Sequence, residues 1–174
     1  INAALDCAEN AVSGREDAFI AFDIGPTGRL LKPLGDLDFE DAVEIFAANI
    51  RAMNGRADCI LIETMNDSHE TKAVLAAKEN CELPIFVTNV YDESGKLMTG
   101  ASPEAMIAML ESLGVAALGM NCSLGPDKML GLVDRFTENA SVPVIVNPNA
   151  GLPVVVDGKT VFNTDAETFS DYMV

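Results

Sequence analysis

The chain has 174 residues, enough for one folded domain with a hydrophobic core and short of the roughly 250 of a complete eight-stranded α/β barrel. Apolar residues make up 49% and charged residues 22%, which excludes disordered, collagenous and coiled-coil chains. The formal charge is −16, from 11 basic and 27 acidic side chains without a basic cluster, so nucleic acid and anionic membrane surfaces are not expected partners, and the acidity reads as a solvated outer surface.

The first segment, Ile1 to Val12, reads as a helix. It opens without an initiator Met and in mid-pattern, so the protein's N-terminus is expected upstream; the start lacks a basic signal region and no window reaches the ~18 to 20 apolar residues of a membrane span. A cytoplasmic protein with reduced thiols is expected. Five apolar runs then predict buried strands at Ala18 to Phe22, Ala57 to Ile62, Leu83 to Thr88, Ala116 to Met120 and Val142 to Val146. Their starts lie 39, 26, 33 and 26 residues apart, the period of βα units rather than of hairpins, so the strands are expected to be parallel.

Helical patterns fill the intervals. Phe39, Ala42, Val43, Phe46, Ile50 and Met53 fall on one stripe. Asp67-Ser68-His69-Glu70 resembles a capping box, and Ser102-Pro103-Glu104 supplies a cap, a first-turn proline and an early acid to a helix that Gly114 ends. Lys128 to Phe136 predicts another helix, and one more begins near Asp165. Strands so continuously apolar are covered on both faces, as in doubly wound sheets and α/β barrels alike.

In parallel α/β folds the chemistry gathers at the carboxyl ends of the strands. Those ends carry Asp23 with Gly25-Pro26-Thr27-Gly28, Glu63-Thr64, Thr88-Asn89, Asn121-Cys122-Ser123 and Asn147-Pro148-Asn149-Ala150-Gly151. All five are polar or metal-binding, which points to an active site on one rim. Gly25-Pro26-Thr27-Gly28 lacks the Gly-Lys-Ser/Thr ending of a phosphate loop; it reads either as a plain turn or as one that lets backbone amides approach a substrate. Of the cysteines, Cys7, Cys59 and Cys81 read as core or incidental thiols. Cys122 follows a strand and precedes a helix start that would help to stabilise a thiolate, so a structural and a functional role are both open for it. A single thiolate does not make a tetrahedral zinc site, and the one histidine, His69, reads as a solvated neighbour of a helix cap.

Asp23-Ile24-Gly25-Pro26-Thr27-Gly28, Ile62-Glu63-Thr64-Met65, Leu97-Met98-Thr99-Gly100, Gly119 to Pro126 and Pro148 to Pro153 resemble, in order and spacing, the homocysteine-binding domain of cobalamin-dependent methionine synthases. The resemblance covers essentially the whole chain, and Asn-Cys-Ser-Leu-Gly-Pro and Pro-Asn-Ala-Gly are its specific motifs. It implies a (βα)8 TIM barrel, present here as one partial domain over 1–174 with about five parallel βα units, strands three to seven of the parent. It implies zinc held by three cysteines, of which Cys122 is the first, with Asn149 beside the metal. Substrate binding falls by the same resemblance to Glu63, at the homocysteine amino group, and with less defined roles to Asp23, Gly25 and Asn121. Methylcobalamin would be carried by another domain of the same parent chain, alongside folate domains. The Gly-Gly-Cys-Cys segment of the paired zinc ligands is not in this sequence, which puts zinc binding and activity of the chain alone in doubt. Open edges and an uncovered apolar inner face predict self-association or a rearranged sheet with helices on both faces. The alternatives are a homocysteine methyltransferase using betaine or S-methylmethionine, an inactive α/β binding module, and a flavodoxin-like nucleotide binder.

Overall fold

The computed structural model describes residues 1–78 and 81–173. Helix α1 (Asn2–Val12) leads into five βα units: β1 (Ala21–Ile24) and α2 (Phe39–Met53), β2 (Cys59–Met65) and α3 (Ser68–Ala76), β3 (Ile85–Asn89) and α4 (Pro103–Ser112), β4 (Ala117–Asn121) and α5 (Pro126–Asn139), then β5 (Val144–Asn147). A hairpin, β6 (Pro153–Val156) and β7 (Lys159–Phe162), precedes α6 (Ala166–Tyr172).

The five strands are parallel and lie in chain order, β1-β2-β3-β4-β5. That order separates the two architectures left open by composition. A doubly wound sheet reverses direction at a switch point, whereas right-handed crossovers between successive neighbours put every helix on the same face, as in a barrel. Burial agrees. Phe22, Ile24, Ile60, Ile62, Ile85, Val87, Leu118 and Met120 point to the helices and are buried. On the opposite face Ala21, Asp23 and Asn147 are exposed and Cys59, Leu61, Glu63, Phe86 and Ile145 only half-buried, while Thr88, Ala117, Gly119 and Asn121 towards β4 are buried. The chain is therefore a partial (βα)8 barrel with an open lumen face, and the expected alternative of helices on both faces is not what forms. No helix among the described residues is long and apolar enough to cross a membrane.

Each strand begins one to three residues later than its apolar run and also ends one to three residues beyond it, where the ladder continues into polar residues that hydropathy excludes: Asp23, Glu63, Asn89, Asn121 and Asn147 all lie within strands. At β4, Gly119 admits β5 closely; a Cβ there would stand 1.9 Å from the Ile145 carbonyl oxygen. The helix stripes fall as predicted. Ala42, Phe46, Ile50 and Met53 of α2 and Met129, Leu132 and Phe136 of α5 are buried, and α5 starts two residues earlier than expected because Pro126 occupies the first helical position after Gly125. Ser102 accepts the Ala105 N–H at 3.4 Å, and Gly114 takes φ +74° just past α4. Helix α1 buries only Leu5 and is tied down by Arg56, whose guanidinium reaches Asp6 at 2.5 Å and Glu9 at 2.7 Å.

The hairpin has no counterpart in the sequence reading, which passes from the Asn147 loop to the last helix. Its turn is Asp157-Gly158 with φ of +49° and +74°, the mirror-image turn that suits strand twist, and the dipeptide is its local signal. All eight strand residues are exposed, so hydrophobic alternation gave no guide.

Candidate active site at the carboxyl rim

The rim is organised around the end of β4. Asn121 is 5% exposed, and its side chain crosses above β3 to β2: its Oδ1 accepts the Thr64 N–H at 3.0 Å and its Nδ2 donates to the Thr64 hydroxyl at 2.7 Å. This pair holds Thr64 at φ +60°, a conformation that a β-branched residue rarely adopts, where the β2–β3 register shifts between Ile62 and Met65. Asn121 thereby joins the strand end that carries Glu63 to the one that carries Cys122.

Cys122 and Ser123 are both left-handed, with φ of +61° and +65°. Successive non-glycine residues in that region cost of order 1–3 kcal/mol each and persist only where their surroundings hold them. The Cys122 N–H donates to the Asn147 carbonyl at 3.1 Å, and the Leu124 N–H to the Cys122 carbonyl at 2.7 Å. The Ser123 hydroxyl donates to the Tyr91 carbonyl at 2.9 Å. Leu124 is buried, and Tyr91 packs edge-on against Phe136 with ring centroids 5.7 Å apart, so the loop rests on the α5 core. Beyond it, the Asn149 N–H donates to the Leu124 carbonyl at 3.0 Å, and its Nδ2 lies 3.9 Å from the Cys122 sulfur. Thr64, Asn121, Cys122, Asn147, Asn149 and Phe162 line a cleft of about 440 Å³, with the half-buried thiol inside it.

Asp23 and Glu63 stand on the lumen face of β1 and β2. Burial pushes the Asp23 carboxyl above its ordinary value, against the lowering effect of the Ile24 backbone N–H. Burial also raises Glu63, and the Asp23 charge raises it further. Two acids that resist ionisation side by side favour a cationic guest, which would relieve both. Gly25 is exposed, and no atom lies within 4 Å of a Cβ built on it, so packing does not demand glycine there.

The six residues singled out from the sequence thus fall on one rim in two groups, Cys122 with Asn149 and Asp23 with Glu63 and Gly25, and Asn121 is the link. His69 is exposed, rests its ring 5.8 Å from that of Phe39 and does not line the cleft. Phe162 joins the cleft without having been singled out; Thr64 belongs to the strand ends read from the sequence, but its bond to Asn121 spans 57 residues and leaves no local signal. Cys122 suits a zinc ion chemically, but no group of three His, Cys, Asp or Glu able to hold a metal occurs among the described residues.

A thiol presented at the carboxyl rim of sequentially wound βα units is the arrangement of an α/β barrel, the fold in which the loops after the strands converge at one mouth. The chain belongs to the homocysteine S-methyltransferase family, whose profile matches residues 1–174. It is 31% identical over 144 residues to a methionine synthase of Mycobacterium leprae (strain TN), and 30% identical over 144 residues to that of Mycobacterium tuberculosis (strain ATCC 25618 / H37Rv). Each alignment covers 79% of this chain and 12% of the relative. The fold is shared with the homocysteine methyltransferase MmuM from Escherichia coli. Its apo form superposes with a TM-score of 0.67 at 18% identity, over 85% of this chain and 55% of MmuM. The metallated form gives 0.63 at 21% identity, over 86% and 55%.

Proposed function

We propose that residues 1–174 form one partial homocysteine S-methyltransferase domain of a longer cytoplasmic methionine synthase, and that its rim binds L-homocysteine for methylation to methionine. The observation that carries this reading is the strained Cys122 loop, bonded to the Asn147 and Tyr91 carbonyls and set beside Asn149, on the same rim as the Asp23–Glu63 pair. The substrate's ammonium group meets Glu63 and Asp23, whose raised carboxyls gain a counter-charge. Its sulfur lies toward Cys122 and Asn149, and Gly25 leaves room for the turn backbone to approach. In the reaction the thiol loses its proton to solvent, the thiolate sulfur forms a bond to the methyl carbon, and the donor–methyl bond breaks with its electron pair staying on the donor. The donor is assigned to methylcobalamin, recharged from 5-methyltetrahydrofolate, on other domains of the parent chain; the named methionine synthases support this branch.

Cys122 is assigned as one thiolate of a zinc site completed by cysteines supplied from outside this chain. Bound zinc would favour the deprotonated thiol of the substrate. With one cysteine on the rim, the isolated chain should hold zinc weakly and turn over no substrate. The open lumen face should also make it self-associate, which light scattering reads directly.

Two measurements test the proposal. L-Homocysteine titrated into the isotope-labelled chain should shift amide resonances of Asp23, Gly25 and Glu63; unmoved rim resonances at millimolar ligand would overturn the substrate assignment. In the parent protein, Cys122→Ser should remove both zinc and methyl transfer. A tightly held zinc that survives the substitution would sink the metal assignment.

A further inference from the structure

The first turn of α3 departs from the capping box that its sequence resembles. Asp67 caps the helix, accepting the His69 N–H at 2.9 Å. Glu70, which a capping box would turn back to the cap backbone, reaches instead to the loop after β1. Its Oε1 accepts the Thr27 backbone N–H at 2.7 Å and the Thr27 hydroxyl at 2.6 Å, across 43 residues of sequence. Glu70 is 2% exposed.

The same helical turn gathers two further pieces of the rim. Asp67 Oδ1 accepts the Thr99 hydroxyl at 3.2 Å from the loop after β3. Asn89, at the end of β3, donates to the Thr71 hydroxyl at 3.3 Å and to the Met65 carbonyl at 3.2 Å. The turn that opens the loop after β1 is little buried: Gly25 and Gly28 are exposed, Pro26 and Thr27 half-buried, and Gly28 sits at φ +77°, while the loop's apolar anchors, Leu31 and Leu37, lie beyond it. Such a turn, rich in glycine and without an apolar anchor, takes its position from what grips it. Among the described residues, the side chain bonded to its backbone from another element is Glu70.

We infer that Glu70 is a positioning residue for substrate: by gripping Thr27 it fixes the Gly25-Pro26-Thr27-Gly28 turn, and with it Asp23, where the amino-acid end of the thiol substrate binds. The inference rests on the homocysteine reading above. It explains why a buried carboxylate is used on a turn that the helix cap does not need.

The test compares Glu70→Ala, Glu70→Gln and Val74→Ala in the full chain. Val74 is a buried α3 residue and serves as a control for general loosening of that helix. Glu70→Ala removes both bonds to Thr27 and should speed amide exchange there and raise the L-homocysteine Kd, each at least roughly tenfold. Glu70→Gln, whose carbonyl still accepts from Thr27, should restore most of both, and Val74→Ala should change neither specifically. Should Glu70→Ala fail to fold, Thr27→Val removes the hydroxyl bond from the opposite side and should raise the Kd several-fold. A Kd in Glu70→Ala within twofold of wild type, or an equal rise in Val74→Ala, overturns the inference. Wild-type chain that binds no homocysteine overturns the site reading instead, and Thr27 exchange then still decides whether the grip exists.

Discussion

The βα body and the hairpin that follows it are both rich in branched apolar residues, yet they end in opposite environments. In the body, Ile60, Ile62, Val87 and Leu118 are driven against helices and disappear from solvent. In the hairpin, Val154, Val155, Val156, Val161 and Phe162 remain exposed, Val155 at 76%. Both regions are built on backbone hydrogen-bond ladders; what differs is a second layer. A two-stranded ribbon has none and is marginal alone, so β6 and β7 depend on their Asp157-Gly158 turn and on their base, where the Thr164 N–H donates to the Ala150 carbonyl at 3.1 Å. Apolar composition makes a strand possible, and a covering layer makes it stable.

Four experiments break or sharpen that contrast. The largest effect belongs to the body: Phe136, fully buried under the Cys122 loop, should cost roughly 3–5 kcal/mol when replaced by Ala, measured by urea unfolding. Next comes the rim, where Asn121→Ala leaves the Thr64 N–H and hydroxyl without their partner. It should cost about 1–3 kcal/mol and release the Cys122 loop, seen as faster alkylation of that thiol. If stability falls and the alkylation rate does not, Asn121 supports the sheet and not the thiol.

The third is a pH effect with a defined sign. Asp23 and Glu63 are raised in the folded state, so the folded chain binds their protons more tightly than the unfolded chain does. Their contribution to stability is full below the unfolded carboxyl pKa and is lost as pH rises through the raised folded values. Glu63→Gln should therefore raise the melting temperature at neutral pH and flatten the acid side of the stability profile. A melting temperature that falls at pH 7 would contradict the pairing. The smallest effect belongs to the hairpin, where Phe162→Ala at a 51% exposed position should change stability by no more than about 0.5 kcal/mol. Because Phe162 lines the Cys122 cleft, the same substitution should still quicken thiol alkylation, separating its place at the site from any place in the core.

Much of the body was legible because helix and strand periodicity report one-sided and two-sided burial, and because caps such as Ser102 and Asp165 act within three residues of themselves. The rim was legible as an inventory: polar residues interrupting five apolar runs at their carboxyl ends. Its wiring was not. Glu70 has the spacing of a capping box, and only the approach of Thr27 across the fold draws it elsewhere. The hairpin was missed for the opposite reason, since its Asp-Gly turn is a local signal but its strands carry no burial pattern to accompany it.

By itself the sequence determined the five βα units, their parallel direction and which side chains could do chemistry, because these follow from local periodicity and from the residue at each strand end. Tertiary structure decided the order of the strands, hence a barrel-like winding with one open face and not a doubly wound sheet. It also decided which polar groups meet. Asn121 reaching Thr64, Asn149 reaching Cys122 and Glu70 gripping Thr27 are contacts between residues 27 to 57 positions apart, and no local propensity encodes a hydrogen bond of that range. They exist because packing of the apolar face brings the strand ends to one rim, where most buried polar groups find a partner; Thr88 Oγ1 and Asn89 Oδ1 are buried there without one among the described residues.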